Sequence, residues 1–156
     1  MVNLSELARL VEKIILVMHD FIKQATHDLS YTKGEICFIA LEYFYDGEAI
    51  DIGLRIGLQE ERVRLQKESN DKNYDIREDG GNFDYYVRIL DHERVKPHAD
   101  AFLMFLKSYG DEENRIIYSS IKDLTEELTK LMKKTNWVKY ARMTEDFVVL
   151  GPYEYD

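Results

Sequence analysis

The chain has 156 residues and a net charge of −9, with thirty acidic against twenty-one basic side chains, eleven tyrosines and one cysteine. That length suits one domain over 1–156 with a real core, and the ordinary apolar fraction argues against wholesale disorder. The acidic balance argues against the lysine and arginine stripe that grips nucleic acid. A lone cysteine excludes an intrachain disulfide, and no run is apolar enough to span a bilayer.

The first residues lack the basic region and small-residue cleavage site of a signal peptide. With the single Cys37, this fits a reducing, cytoplasmic setting. Asn3 and Glu6 have capping-box spacing. Leu4, Leu7, Val11, Ile14, Met18, Phe21 and Ala25 then recur at intervals of three and four, which predicts an amphipathic helix ending near Leu29. Leu10, Ile15, Val17 and Ile22 widen the stripe beyond a two-helix seam, so its natural target is a sheet. A short coiled coil, and with it a homodimer, is the alternative to a monomer.

Residues 36–58 read as a β-hairpin. Asp46-Gly47 between two apolar runs is the signature of a two-residue type I′ turn. That turn pairs Tyr43 with Ile50, Leu41 with Ile52, Ile39 with Leu54 and Cys37 with Ile56 on one apolar face. The other face carries Phe38 opposite Arg55, Ala40 opposite Gly53, and Glu42 opposite Asp51. Like charges opposite each other are mildly unfavourable, and the low glycines Gly53 and Gly57 suggest a bulge or close approach. This face is expected to be open to solvent or to a partner.

Residues 59–82 are charge-rich and read as a loop or short edge strand, closed by the turn Glu78-Asp79-Gly80-Gly81-Asn82. Phe83 to Leu90 predicts a third strand, with Phe83, Tyr85, Val87 and Ile89 on one face. Pro97 and Gly110 bracket a helix with Ala101, Phe102, Phe105, Leu106 and Tyr109 inward. Ile121, Leu124, Leu128, Leu131 and Met132 mark another, capped at Ser120, while 115–118 stay unassigned. A last short strand, Phe147 to Leu150, is stopped by Gly151-Pro152. The expected fold is therefore α+β: an antiparallel sheet built on the 36–58 hairpin, covered by a long N-terminal helix and C-terminal helices.

No catalytic signature stands out. The four histidines lack metal-ligand spacing, and there is no nucleophile elbow, Walker loop or dinucleotide fingerprint. Glu42 with Asp51 is a weak cation or acid–base pair among so many carboxylates. No catalytic, metal or cofactor residue is assigned. Tyrosine combined with acid instead suits a surface that binds a basic protein.

The order of elements, with the Cys37-Phe38-Ile39-Ala40-Leu41 strand, Asn136-Trp137 and the terminal Thr144-Glu145-Asp146-Phe147-Val148-Val149, resembles the small acidic α+β immunity proteins of bacterial polymorphic and contact-dependent toxin systems. That resemblance implies a non-enzymatic inhibitor that covers a basic toxin domain. The candidate partner surface is Glu42, Asp51, Asp75, Glu78 and Asp79, with Tyr86 and Trp137 as aromatic anchors. A small enzyme or ligand-binding domain with a pocket between helices and sheet is the rival reading.

Overall fold

The computed structural model describes residues 3–45, 50–108 and 113–154. Its elements run α1 (Leu4–Lys33), β1 (Ile36–Tyr45), β2 (Ile50–Leu58), α2 (Gln59–Glu68), β3 (Tyr85–Arg88), α3 (Lys96–Lys107), α4 (Glu113–Lys134) and β4 (Met143–Glu154). The sheet order is β3-β2-β1-β4, with β1 antiparallel to β2, β2 antiparallel to β3, and β1 parallel to β4. The α+β class and the helical cover are as the sequence predicts. The sheet is mixed, because the chain returns through α3 and α4 to lay β4 alongside β1.

The opening helix starts where Asn3 caps it, the Asn3 side chain accepting the Glu6 N–H at 3.0 Å. It runs past Leu29 to Lys33 and stops at Gly34, whose φ of +127° suits glycine. Ser30 and Arg142 seal this end: the Arg142 N–H donates to Ser30 Oγ at 2.8 Å and its guanidinium donates to the Ser30 carbonyl at 2.9 Å. A cation there also complements the negative end of the helix dipole.

Helices α1, α3 and α4 pack on one sheet face. Ile14, Met18, Ile22, Phe102, Ile121 and Leu128 meet Ile39, Leu41, Ile52, Leu54 and Ile56, all buried. Each such side chain contributes about 1.5–3 kcal/mol on removal from water. In α3 the inward residues are Ala99, Phe102 and Leu106, so the expected stripe holds at Phe102 and Leu106 but Ala101 is exposed. Residues 115–118 belong to α4, which makes Ser120 an interior residue rather than a cap. The buried Thr26, Thr125 and Thr129 hydroxyls each donate to the carbonyl four residues earlier, so the helix layer carries them without an orphan donor.

The hairpin forms, but in another register. Residues 46–49 separate the strands, and Tyr45 pairs with Ile50, Tyr43 with Ile52, Leu41 with Leu54 and Ile39 with Ile56. The pairing has moved two residues from the expected one. A shift of two keeps every side chain on its face, which is why the apolar face is right while the partners are not. Glu42 therefore faces Gly53, Asp51 faces Phe44, and the Glu42–Asp51 juxtaposition does not exist. The Asp46-Gly47 turn itself, like the Gly110 terminator, lies outside the described residues.

A bulge between Ile36 and Phe38 changes the start of β1. The extra residue places Cys37 with Phe38 and Ala40 on the second face, not inward with Ile39. Burial pushes the Cys37 thiol up to about 12, so it is an inert packing group.

That second face is not open. Residues 59–68 form a helix rather than a loop or strand, and short 3-10 turns follow at Ile76–Glu78 and Gly80–Asn82. Ile76 and Phe83 close over Cys37, Phe38 and Ala40 as a second small core. Phe83 precedes β3 and packs here, opposite to its expected side, while Tyr85, Val87 and Ile89 face the helices as predicted. No helix among the described residues is long and apolar enough to cross a membrane.

Candidate functional site

Beyond the second core, the uncovered half of this face carries a polar cleft. Ala40 and Leu41 of β1 line its base, and its volume is ≈ 230 Å³. Glu42, Arg55, Glu78, Asp79, Tyr153 and Glu154 line it.

Each wall has a local cause. Glu42 projects from β1 opposite Gly53 of β2. Because Gly53 has no side chain, Tyr86 of β3 lies against it; a Cβ there would sit 2.6 Å from Tyr86 Cε2 and 2.8 Å from Glu42 Cγ. The Arg55 guanidinium stacks on the Tyr86 ring at 4.4 Å and reaches Glu42 Oε1 at 3.5 Å. Burial, and then the Glu42 charge, hold the Tyr86 hydroxyl above the usual phenol range. Glu78 closes the 3-10 turn whose start is fixed by Asp75, and its Oε2 accepts the Tyr153 hydroxyl at 3.4 Å. Burial and the Glu78 charge likewise raise Tyr153.

Tyr153 reaches the cleft because β4 does not end at Gly151-Pro152. Gly151 takes φ +93°, close to the Leu41 carbonyl, and the strand resumes beyond an irregularity opposite residues 40–42. The strand expected over 147–150 is therefore Met143–Glu154.

The charges of the cleft do not balance. Arg55 answers Glu42, while Arg77 is held by Asp75 at 2.7 Å and lies 3.8 Å from Asp146. Glu78, Asp79 and Glu154 meet neutral donors instead: Tyr153, Asn82 Nδ2 at 2.7 Å and the Tyr118 hydroxyl. A cation entering here meets carboxylate acceptors and tyrosine rings, the two groups that bind guanidinium and ammonium side chains.

Of the seven residues singled out in the sequence, Glu42, Glu78, Asp79 and Tyr86 gather at this cleft. Asp51 is buried on β2, where its carboxylate accepts the Leu90 N–H of the turn that follows β3. Asp75 is occupied by Arg77, which lowers its carboxyl below the usual range. Trp137 is not a surface anchor: it is 5% exposed in the helix-side core, and its indole N–H donates to the Met132 carbonyl at 2.8 Å. Sequence reasoning missed Tyr153 and Glu154 as site residues, since Gly-Pro reads as a strand terminator.

A second, larger groove of ≈ 420 Å³ lies across the molecule between α1 and β3, lined by Phe21, Ala25, Leu29, Tyr85, Val87 and His92. Gln24, Asp28, Thr32 and Arg94 complete its lining, which lacks the converging carboxylates of the cleft. His19 and His27 serve as staples from α1, contacting Thr135 Oγ1 at 2.9 Å and the Tyr140 carbonyl at 2.8 Å. Among the described residues no group of three or more His, Cys, Asp or Glu is placed to hold a metal ion.

No protein-family model matches the chain, and comparisons with curated proteins and with solved structures return no match.

Proposed function

We propose that this chain is a protein-binding domain that neutralises a basic partner, in the manner of the acidic immunity proteins it resembles, acting in the cytoplasm. The observation that carries the reading is the cleft: Glu42, Glu78, Asp79 and Glu154 converge on a cavity of ≈ 230 Å³ walled by Tyr153 and flanked by Tyr86. A partner arginine or lysine inserted there exchanges water for charge-assisted hydrogen bonds and ring contacts. The net charge of −9 draws a basic partner in from a distance, which speeds encounter at low salt.

The test uses the product of the adjacent gene, co-expressed with this chain and titrated by calorimetry. Glu78→Lys is the informative variant, because Glu78 sits on the rim of a turn and not in either core. The expected result is a tight complex that Glu78→Lys weakens by about a hundredfold, the cost of a reversed charge at a desolvated anchor. Absence of a complex, or an affinity within twofold of the unmodified protein, overturns the reading. One observation favours the rival, a ligand-binding domain: the groove between α1 and β3 has the size of a small-molecule pocket.

A further inference from the structure

The middle of α1 turns two rows of side chains toward two cavities. Asp20, Lys23 and His27 are spaced by three and four residues, so they share one face of the helix. That row meets the 3-10 turn Trp137–Lys139 and the residue after it, Tyr140. With Arg94 of the turn after β3 they enclose a pocket of ≈ 370 Å³. Phe21, Ala25 and Leu29, on the neighbouring row, line the ≈ 420 Å³ groove against β3. Gln24 and Arg94 line both cavities, so pocket and groove adjoin.

The pocket is basic in an acidic protein. Lys23, Arg94 and Lys139 set three cations against one carboxylate, Asp20, which Lys23 holds at 3.1 Å. Among the described residues no carboxylate pairs with Arg94 or Lys139. The wall behind them is fixed in advance. His27 Nδ1 donates to the Tyr140 carbonyl at 2.8 Å, and the Lys23 ammonium lies 5.1 Å from the centre of the Tyr140 ring. Tyr140 in turn meets the ring of the buried Trp137 at 6.4 Å.

We propose that pocket and groove together bind a small phosphate monoester, its phosphate held by Arg94, Lys139 and Lys23 and its aromatic or aliphatic body laid in the groove. Two cations without a carboxylate match a head group that is nearly dianionic at neutral pH. Arginine adds a planar fork suited to phosphate oxygens. In the groove Phe21, Ala25, Leu29 and Val87 offer apolar contact, and the Phe21 ring is backed by that of His92 at 4.4 Å. Asp28, which accepts Gln24 Nε2 at 2.8 Å, repels a second anionic group there and so selects a neutral body. The site shares no lining residue with the carboxylate cleft, so it stands or falls separately from the partner-binding reading.

The experiment titrates the full chain with naphthyl phosphate, followed by backbone-amide NMR, with inorganic phosphate, naphthol and naphthoate as comparison probes. Saturable shifts are expected at Gln24, Leu29, Val87 and Arg94, with a Kd below about 1 mM. Arg94→Ala and Lys139→Ala, both exposed and outside either core, should each weaken binding about tenfold, the loss of one charge-assisted contact. Inorganic phosphate and naphthol each fill one half of the site and should bind more weakly than the ester by about tenfold. Naphthoate, with a single charge, should also bind more weakly than the ester. An Arg94→Ala variant that binds as tightly as the unmodified protein overturns the proposal. So does inorganic phosphate that matches the ester, which marks a surface patch for any anion. Naphthol or naphthoate that matches it removes the phosphate from the recognition. Shifts that gather around Glu42 and Glu78, or no saturation by about 10 mM, overturn the proposal as well.

Discussion

Replacing Gly57 by alanine is expected to destabilise the protein by about 3 kcal/mol, the upper end of the range for overpacking a closed core. Gly57 faces Phe38 across the hairpin. A Cβ at this position would lie 2.0 Å from Phe38 Cε1 and 2.3 Å from Cδ1. The ring has nowhere to retreat: Phe38 is 0% exposed, its ring meets the Phe83 ring edge-on at 4.8 Å, and Gly80 closes over its far edge. Moving Phe38 means lifting the 76–83 segment off the sheet. The measurement is a urea unfolding midpoint at constant slope. Phe38→Leu alone should cost about 1–2 kcal/mol through the volume it empties. The double variant should then be less destabilised than the sum of the two, because leucine vacates the space the new methyl needs. An alanine at 57 that shifts stability by less than about 0.5 kcal/mol would mean that Phe38 is not fixed as described.

Gly57 also marks the boundary between what the sequence makes legible and what it does not. The faces of the hairpin were readable because side chains alternate with period two, a local rule that any even shift preserves. The partners across it were not, since pairing depends on how many residues join the strands, and Asp-Gly favours two where four intervene. Helix α2 was opaque for another reason. It lacks an apolar stripe, and its anchor is Glu61, 7% exposed, which accepts the Leu58 N–H at 3.4 Å and the Asp84 N–H at 2.9 Å. A helix held by a buried carboxylate reads in the sequence as a solvated run. The parallel β1–β4 pairing joins residues more than a hundred positions apart, as Phe38 with Val148, and no local pattern specifies it. Four of the seven candidate residues nevertheless converge, because Glu42 of β1 and Tyr86 of β3 flank β2 at Gly53 and Glu78 and Asp79 come from the 3-10 segment beside them.

Removing the Arg77 guanidinium is the other large expected effect, and it reaches both the fold and the cleft. Arg77 is 11% exposed and grips three segments at once. Its Nε and Nη2 donate to Asp75 at 3.1 and 2.7 Å, and its Nη1 donates to the Asp146 carbonyl of β4 at 2.7 Å and to the Cys37 carbonyl at 3.3 Å. The Cys37 carbonyl sits at the bulge, where the strand ladder is disrupted, so the arginine supplies what the ladder does not. Arg77→Ala strands the Cys37 carbonyl, at about 1–3 kcal/mol for the lost partner, while the exposed Asp146 carbonyl turns to water, so the expected cost is about 2 kcal/mol. Asp75 and Asp146 are 41% and 55% exposed, so water compensates them and they add little. Arg77→Lys should recover less than half, since an ammonium lacks the planar fork that spans all three partners.

The pH dependence separates this site from Asp51. Arg62, the threonine at 144 and Arg77 hold the Asp146 carboxyl down at about 2, and Arg77 holds Asp75 below its usual value. Depressed acids stabilise the fold above about pH 4 and lose that contribution as the pH falls. Asp51, which burial pushes up to about 6, works in the opposite sense, losing its contribution as the pH rises through about 6. Stability should therefore peak on the mildly acidic side of neutrality. Arg77→Ala should shrink the acid-side loss, chiefly through Asp75, while Asp51→Asn flattens the other limb. Because Glu78 follows Arg77 directly in the same 3-10 turn, the alanine variant should also weaken binding of the basic partner. Unfolding midpoints within about 0.5 kcal/mol of the unmodified protein, with an unchanged acid limb, would remove Arg77 as the tie that holds the turn beside the cleft.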